Sequence, residues 1–215
     1  MNKISIIQRL VNPGIIAILR SESGAKLVDA AKTLFASGIT VTEVTMTTPN
    51  ALNTIREIGR ALGAAALVGV GSVLDTETCR SALIAGAQFV VTPVVRPDVI
   101  RMCNRYGVPI ISGAATPTEA LTAQELGSDF IKLFPSATLT AEYLKAVLEP
   151  LPQLQVIPTG GVTPENLGEY FTAGAVAVGV SSGLVSSEIL DNGDWSKLAK
   201  VAGKYIAAAK KARTA

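Results

Sequence analysis

Short apolar runs recur along the chain, and most of them follow a helical stretch that ends in a glycine. These glycines are Gly38, Gly63, Gly86, Gly107, Gly127 and Gly174. The first five are separated by 25, 23, 21 and 20 residues. Glycine at such a junction is typical of the left-handed residue that ends a helix and turns the chain into a strand. The pattern therefore predicts a repeated unit of strand and helix.

The repeated units add up to eight strands. The last gap between glycines, 47 residues, contains one more unit, in which Pro150 and Pro152 precede the apolar run LQVIPTGG. An opening strand over residues 14–20 completes the set. Alternating strands and helices predict a parallel sheet with right-handed crossovers. An open doubly wound sheet shares this rhythm, but the chain lacks an early glycine-rich phosphate loop, so we predict one (β/α)8 barrel domain over residues 1–215.

Three Thr-Pro pairs follow predicted strands and indicate helix starts, with threonine as N-cap and proline in the first turn. They are Thr48-Pro49, Thr116-Pro117 and Thr163-Pro164. Thr116 and Glu119 also have the spacing of a capping box. Before the first strand, the pattern predicts a short helix that closes the bottom of the barrel. Its apolar face comprises Ile4, Ile7, Leu10 and Val11.

The composition and the N-terminal sequence give no indication of a membrane span or a signal peptide. Apolar residues make up 48% of the chain and the mean hydropathy is +0.40, which suits strands covered on both faces by helices. The longest weakly polar stretch, residues 63–74, is shorter than the roughly 18–20 residues of a membrane span. Arg9 interrupts the apolar N-terminus, which therefore does not resemble a signal peptide. We expect a cytoplasmic protein with no membrane association.

Charge and residue types exclude several chemistries. A net charge of +2 with scattered Lys and Arg gives little support for nucleic-acid binding. The chain has no histidine, which excludes Ser-His-Asp and Cys-His catalysis. Cys79 and Cys103 lack CxxC spacing, and both fall in predicted helices, so neither a zinc site nor a disulfide framework is expected.

Lys132 is the most unusual charged residue. Nine of the ten lysines lie in helical or terminal segments, whereas Lys132 lies in the middle of the apolar run FIKLFP. Burial of a lysine disfavours its charged form, and a neutral amine is the nucleophile that forms Schiff bases. A lysine paired with a buried carboxylate for purely structural reasons would leave the same pattern.

Glu43 is a second charged residue within a predicted strand, because its carboxylate lies in the middle of Val41–Thr45. Active sites of (β/α)8 barrels gather at the carboxyl ends of the strands, so Glu43 and Lys132 are expected to meet near the barrel mouth. They would then be either proton-sharing partners or a buried ion pair. Arg20 ends the first strand and is expected either to bind a substrate carboxylate or to form a salt bridge at the rim.

Two loops rich in glycine and serine follow the last two strands. Thr159-Gly160-Gly161 follows the seventh strand, and residues 179–183, which include Ser182, follow the eighth. Loops at these positions commonly bind phosphate through backbone N–H groups and a helix N-terminus. Tight turns alone would also explain the glycines.

Together these segments resemble the bacterial 2-keto-3-deoxy-6-phosphogluconate/4-hydroxy-2-oxoglutarate (KDPG/KHG) aldolase family. The similarity extends over nearly the whole chain. Its strongest marker is the lysine of IKLFP followed some 25 residues later by PTGG. The matching stretches are GIIAILR, ITVTEVTMTTPNAL, LVGVGSVLD, AGAQFVVTP, ATPTEAL, FIKLFPS, VIPTGGVTPENL, VGVSSGLV and NGDW.

The resemblance implies a role for each candidate. Lys132 would form the Schiff base and Glu43 would shuttle protons, with no metal or organic cofactor. The remaining candidates would bind substrate. Arg20 and Ser72 would lie near its keto-acid end, Phe134 would line the pocket, and Gly160, Gly161 and Ser182 would hold its phosphate. Some family members carry Arg at the position of Thr47 and Thr at that of Ser72, which leaves the substrate preference open. The family is typically homotrimeric.

The expected reaction is cleavage of 2-dehydro-3-deoxy-6-phosphogluconate to pyruvate and glyceraldehyde 3-phosphate. Cleavage of 4-hydroxy-2-oxoglutarate to pyruvate and glyoxylate is a further expected activity. The nearest alternative is the 2-dehydro-3-deoxy-6-phosphogalactonate aldolase, whose substrate differs at one stereocentre. A phosphate-binding barrel isomerase or epimerase, or a non-catalytic sugar-phosphate binder, would need the two glycine-rich loops but no nucleophilic lysine.

Overall fold

The computed structural model describes residues 1–22, 24 and 26–214, which form eight strands and ten α-helices. The strands are β1 (Ile15–Leu19), β2 (Val41–Thr45), β3 (Leu67–Gly71), β4 (Val90–Thr92), β5 (Ile110–Ala114), β6 (Phe130–Leu133), β7 (Val156–Pro158) and β8 (Val178–Val180). The helices are α1 (Lys3–Val11), α2 (Leu27–Ala36), α3 (Ala51–Leu62), α4 (Thr76–Ala85), α5 (Pro97–Tyr106), α6 (Pro117–Glu125), α7 (Ala141–Leu148), α8 (Leu167–Thr172), α9 (Ser187–Asn192) and α10 (Trp195–Thr214). None of these helices is long and apolar enough to cross a membrane.

The strands form a single parallel sheet that closes on itself. Each strand from β1 to β6 pairs with the next, and β1 also pairs with β8. Between β7 and β8, the Val176 N–H donates to the Val156 carbonyl at 3.0 Å, and Thr159 forms a parallel bridge with Gly179. These contacts close the barrel, so the (β/α)8 prediction is confirmed and the open sheet is excluded.

The glycines that end the helices behave as the pattern predicted. All six have positive φ, between 60° and 105°. The capping box at the start of α6 is also confirmed, since the Thr116 hydroxyl accepts from the Glu119 N–H while the Glu119 carboxylate accepts from the Thr116 N–H. Local sequence signals therefore define most of the boundaries between helices and strands.

The other two Thr-Pro predictions, Thr48-Pro49 and Thr163-Pro164, are wrong. Helix α3 begins after Asn50, which has a left-handed φ of 58°, and α8 begins after Asn166. The Thr48 side chain is buried and instead accepts a hydrogen bond from the Ser21 N–H at 3.3 Å. The Thr163 N–H donates to the Asn166 side chain, which forms a turn before the helix. In both places a competing hydrogen bond delays the helix.

Two apolar clusters lie on opposite faces of the sheet. The larger cluster packs the outer face of the barrel against the surrounding helices. The smaller cluster fills the lower interior and includes Ile16, Val41, Leu67, Phe89, Val91, Ile111, Phe130, Ile157 and Ala177. Because side chains alternate along a strand, the residue two positions after each of these points into the same interior. This alternation determines which side chains line the barrel above the cluster.

Helix α1 closes the lower interior as predicted, with Ile6 in place of Ile4 on its apolar face. Ile6 and Leu10 are buried in the interior cluster, and Ile7 and Val11 pack against it. Ile4 is 68% exposed, so its assignment to the apolar face is wrong. The side chain of Arg9 donates to the carbonyls of Ala64 and Ala65 in the turn before β3, which fixes how the helix docks.

Candidate active site

Lys132 and Glu43 both point into the barrel above the interior cluster. Lys132 lies two residues after Phe130 on β6, and Glu43 lies two residues after Val41 on β2. Their residues are 8% and 3% exposed. The two charged residues are therefore buried inside the barrel, on strands that lie across it from each other, as the unusual strand sequences suggested.

Glu43 has an environment that disfavours its charge. Its Oε1 is buried and has no hydrogen-bond partner among the described residues. Burial raises the pKa of Glu43, while the positive charge of Lys132 lowers it to a smaller extent. Within the described residues the two groups form no direct ion pair within 4 Å, so they interact through a longer-range charge contact. Glu43 is thus a carboxyl group that binds a proton more readily than an exposed glutamate.

The raised pKa of Glu43 predicts how its replacement changes stability with pH. Ionised Glu43 is penalised in the folded state, so wild-type stability relative to Glu43→Gln is highest at low pH. It falls as the pH rises from the unfolded pKa through the folded pKa. We expect the two proteins to be closest in stability near pH 4. The gap should then grow in favour of the glutamine variant by at most about 1.4 kcal/mol per pH unit. Urea unfolding between pH 4 and 8 measures this, and a gap that shrinks with pH would contradict it.

Gly71 makes room for Glu43. It ends β3 next to β2, and a Cβ built on Gly71 would overlap the Glu43 carboxyl group, with the Glu43 Cγ at 2.9 Å. Any side chain at this position would force Glu43 to move. Gly71 was not among the candidates from sequence, although the two alternate glycines that end the run LVGVG were a visible signal.

Phe134 and the loop after β7 lie beside Lys132. The Lys132 Nζ lies 4.9 Å from the centroid of the Phe134 ring, and Phe134 is 39% exposed. A Cβ built on Gly160 would lie 3.5 Å from the same ring. Gly160 and Gly161 have φ values of 88° and 79°, a left-handed backbone that side chains rarely adopt. The structure therefore brings the predicted nucleophile, the aromatic residue and the glycine pair together.

A cavity of about 780 Å³ opens at the carboxyl ends of β1, β2 and β8. Arg20, Thr47 and Ser182 line it, so three more predicted residues share one space. Arg20 and Ser182 are exposed, and the Thr47 hydroxyl is 2.9 Å from the Thr45 hydroxyl. Glu43 is paired in register with Ile18, two residues before Arg20, so it lies deeper in the barrel than the cavity rim.

The last two candidates sit at strand ends. Ser72 follows β3, is half-buried and has a φ of 58°, an uncommon conformation for a residue other than glycine. Such backbone strain is concentrated at functional sites. Thr159 is buried, its N–H donates to the Leu133 carbonyl at 2.9 Å, and its side chain packs against Gly179. Thr159 therefore ties the ends of β6, β7 and β8 together, with its side chain inside the barrel.

Comparisons with known proteins show the family of the chain. A family model described as KDPG and KHG aldolase matches residues 6–201. The 2-dehydro-3-deoxy-6-phosphogalactonate aldolase of Escherichia coli K12 is 36% identical over 171 residues, covering 79% of this chain and 83% of the relative. The 2-dehydro-3-deoxy-phosphogluconate aldolase of Treponema pallidum is 35% identical over 196 residues, covering 91% of this chain and 93% of the relative.

A solved structure of a KDPG aldolase from Legionella pneumophila holds pyruvate captured at low pH as a covalent carbinolamine intermediate. It is similar to this chain with a TM-score of 0.84 and 27% identity, covering 90% of this chain and 95% of that one. The chain belongs to the KDPG and KHG aldolase family. It is accordingly an aldolase, a carbon–carbon lyase, rather than a barrel isomerase or a non-catalytic binder.

Proposed function

We propose that this chain cleaves 2-dehydro-3-deoxy-6-phosphogluconate to pyruvate and glyceraldehyde 3-phosphate through a Schiff base on Lys132. The observation that carries the proposal is a buried lysine on the inner wall of β6 that faces a buried carboxyl group in a KDPG and KHG aldolase. The covalent carbinolamine in the Legionella pneumophila relative supports the same chemistry here.

Lys132 is the nucleophile in this mechanism. Its neutral amine attacks the C2 ketone of the substrate to give a carbinolamine, which loses water to form an iminium ion. The iminium accepts the electron pair of the C3–C4 bond as that bond breaks. The product on the enzyme is an enamine of pyruvate, which is protonated at C3 and then hydrolysed to release pyruvate and regenerate Lys132.

Glu43 moves the protons. As a carboxylate it accepts the proton of the C4 hydroxyl, directly or through a water molecule, while C4 becomes the aldehyde of the leaving product. Once protonated, it can return a proton in the later steps. Its raised pKa suits both roles, because a general acid–base group works best with a pKa near the working pH.

The other candidates hold the two ends of the substrate. Gly160, Gly161 and Ser182 supply backbone N–H groups and a hydroxyl for the phosphate. At the other end, Arg20 provides a cation for the carboxylate, near Thr47 in the same cavity. No ion pair of Arg20 occurs in the part of the chain that the structure describes, which favours the substrate role over a rim salt bridge. Ser72 lies with Arg20 at the keto-acid end, Phe134 lines the pocket beside Lys132, and Thr159 leads into the phosphate loop.

The alternative substrate is the galactonate epimer, which the Escherichia coli relative's name supports. A coupled pyruvate-release assay on the gluconate, the galactonate and 4-hydroxy-2-oxoglutarate separates the candidates. We expect the highest kcat/KM for the phosphorylated gluconate, with weaker cleavage of 4-hydroxy-2-oxoglutarate, which has no phosphate to bind. A higher kcat/KM for the galactonate would replace the proposed substrate by its epimer while keeping the chemistry.

Gly71→Ala tests whether the placement of Glu43 matters for turnover. The added Cβ would displace the Glu43 carboxyl group, and a shift of about 1 Å at a reacting group costs about a hundredfold in rate. We expect kcat to fall by about ten- to a hundredfold, with a loss of about 1–3 kcal/mol in the free energy of unfolding. Steady-state kinetics and urea unfolding measure both effects.

Gly59→Ala is the matched control. Gly59 lies on the exposed side of α3, and among the described residues no atom beyond its chain neighbours and the nearby helix backbone lies within 4 Å of a Cβ built there. We expect it to keep full activity and to gain about 0.5–1 kcal/mol of stability, because alanine is the better helix former. Full activity of Gly71→Ala would show that Glu43 need not occupy its present position.

We further propose that the chain acts in the cytoplasm as a homotrimer, as the family resemblance implies. Leu74, Ile84 and Val94 are 49%, 65% and 50% exposed and give an oligomer apolar surface to bury. Light scattering on the eluting peak of a size-exclusion column measures the assembly mass directly.

A further inference from the structure

Three buried or half-buried tyrosines each fix a loop at the barrel mouth. The hydroxyl of Tyr143 on α7 donates to the Ala115 carbonyl after β5, at 2.8 Å. The hydroxyl of Tyr170 on α8 donates to the Ser136 carbonyl after β6, also at 2.8 Å. The hydroxyl of Tyr205 on α10 donates to the Val162 carbonyl after β7, at 3.0 Å. Each tyrosine thus holds the loop of an earlier strand–helix unit.

Ser136 differs from the other two acceptor residues because its hydroxyl and its backbone form several further hydrogen bonds. It is 1% exposed, and its hydroxyl donates to the Leu133 carbonyl at 2.8 Å. The Thr159 N–H, which also donates to the Leu133 carbonyl, donates to the same hydroxyl at 2.8 Å, and the Ser136 N–H donates to the Thr159 carbonyl at 2.9 Å. With the bond from Tyr170, every polar group of Ser136 is engaged.

The partners of Ser136 connect two parts of the site. Leu133 immediately follows Lys132, and Thr159 immediately precedes Gly160. The Ser136 hydroxyl therefore bridges the end of the strand that carries the proposed nucleophile and the start of the proposed phosphate loop. The Tyr170 hydroxyl is protonated at neutral pH and can donate to Ser136, and burial raises its pKa further.

We infer that Ser136, held by Tyr170, is a positioning residue that fixes the distance between the Lys132 amine and the phosphate loop. The inference rests on the proposed function, because it takes Lys132 to bind the keto carbon and Gly160-Gly161 to bind the phosphate. A substrate that spans both ends depends on that distance. Pyruvate reaches only Lys132 and does not depend on it.

The test compares a reaction that uses both ends with one that uses a single end. In Ser136→Ala and in Tyr170→Phe we expect kcat/KM for 2-dehydro-3-deoxy-6-phosphogluconate to fall by about ten- to a hundredfold, mainly through KM. The rate of borohydride trapping with pyruvate should change by less than about twofold, because pyruvate binds at Lys132 alone and does not span the two ends. Tyr143→Phe is the matched control, since it removes the equivalent bond to Ala115 and should leave both rates unchanged.

Each outcome bears on the inference. Equal losses in cleavage and in pyruvate trapping would show that Ser136 has only a structural role. An unchanged kcat/KM in both variants would show that Ser136 does not position the two ends of the site. The same loss in Tyr143→Phe would show a general effect of loosening the rim. Absence of trapping in the wild type would instead overturn the proposed function, and this inference with it. Tyr170→Phe removes only the hydroxyl and retains the ring, so the same two rates can be measured in this variant if Ser136→Ala does not fold.

Discussion

Lys132→Ala is expected to abolish cleavage, with a loss in kcat of at least about a thousandfold. The reason is chemical, because the bond to C2 needs a neutral amine inside the barrel, and Lys132 is the one buried lysine among the described residues. The coupled pyruvate-release assay measures the loss. Lys145→Ala on the exposed side of α7 is the control and should retain wild-type kcat.

A second variant separates chemistry from folding. Lys132→Met keeps an unbranched side chain of similar length in the buried position but has no amine. We expect it to unfold at a temperature close to that of the wild type and to be as inactive as Lys132→Ala. If either variant retained full cleavage, Lys132 would be a structural partner of Glu43 and the Schiff-base mechanism would be wrong.

Glu43→Gln should give the second large effect, with kcat lower by about 10²–10⁴-fold. The amide keeps the shape of the carboxyl group but cannot accept the C4 hydroxyl proton. Capture of pyruvate on Lys132 should suffer less, by about tenfold at most, since carbinolamine formation does not break the C3–C4 bond. Parallel measurements of kcat and of pyruvate trapping provide the comparison.

Thr42→Val is the control for Glu43→Gln. Thr42 is the preceding residue on β2 and is buried, and its hydroxyl has no hydrogen-bond partner among the described residues. Val44, two residues later, packs in the outer cluster, so Thr42 points away from the barrel interior. We expect this control to keep its activity. Equal losses of kcat and of pyruvate trapping in Glu43→Gln would show that Glu43 is only a structural partner of Lys132.

The fold could be predicted because its signals are local. Each unit carries an apolar run and a glycine at the helix end, and all six of those glycines adopt the expected positive φ. The wrong predictions of helix starts are at positions where a distant or competing hydrogen bond determines where the helix begins. Thr48 caps no helix because its hydroxyl accepts from the Ser21 N–H, 27 residues earlier in the chain. No pattern around Thr48 contains that information.

The candidate site could be predicted where charged residues interrupt apolar strands. Lys132 and Glu43 are charged residues in buried strands, and strand alternation then places both in the barrel interior. Residues that act by packing or by bridging left weaker signals. The contact between Tyr170 and Ser136 joins positions 34 residues apart. Such contacts follow from the closed barrel, and could be identified only once it was known.

The most direct test of the Schiff-base mechanism is borohydride reduction of the wild-type protein in the presence of pyruvate, followed by peptide mass mapping. We expect one reduced pyruvyl adduct, on the peptide that contains Lys132, and concurrent loss of cleavage activity. The adduct should be absent when pyruvate or borohydride is omitted. An adduct on another lysine, or inactivation without any adduct, would contradict the assignment of Lys132 as the nucleophile.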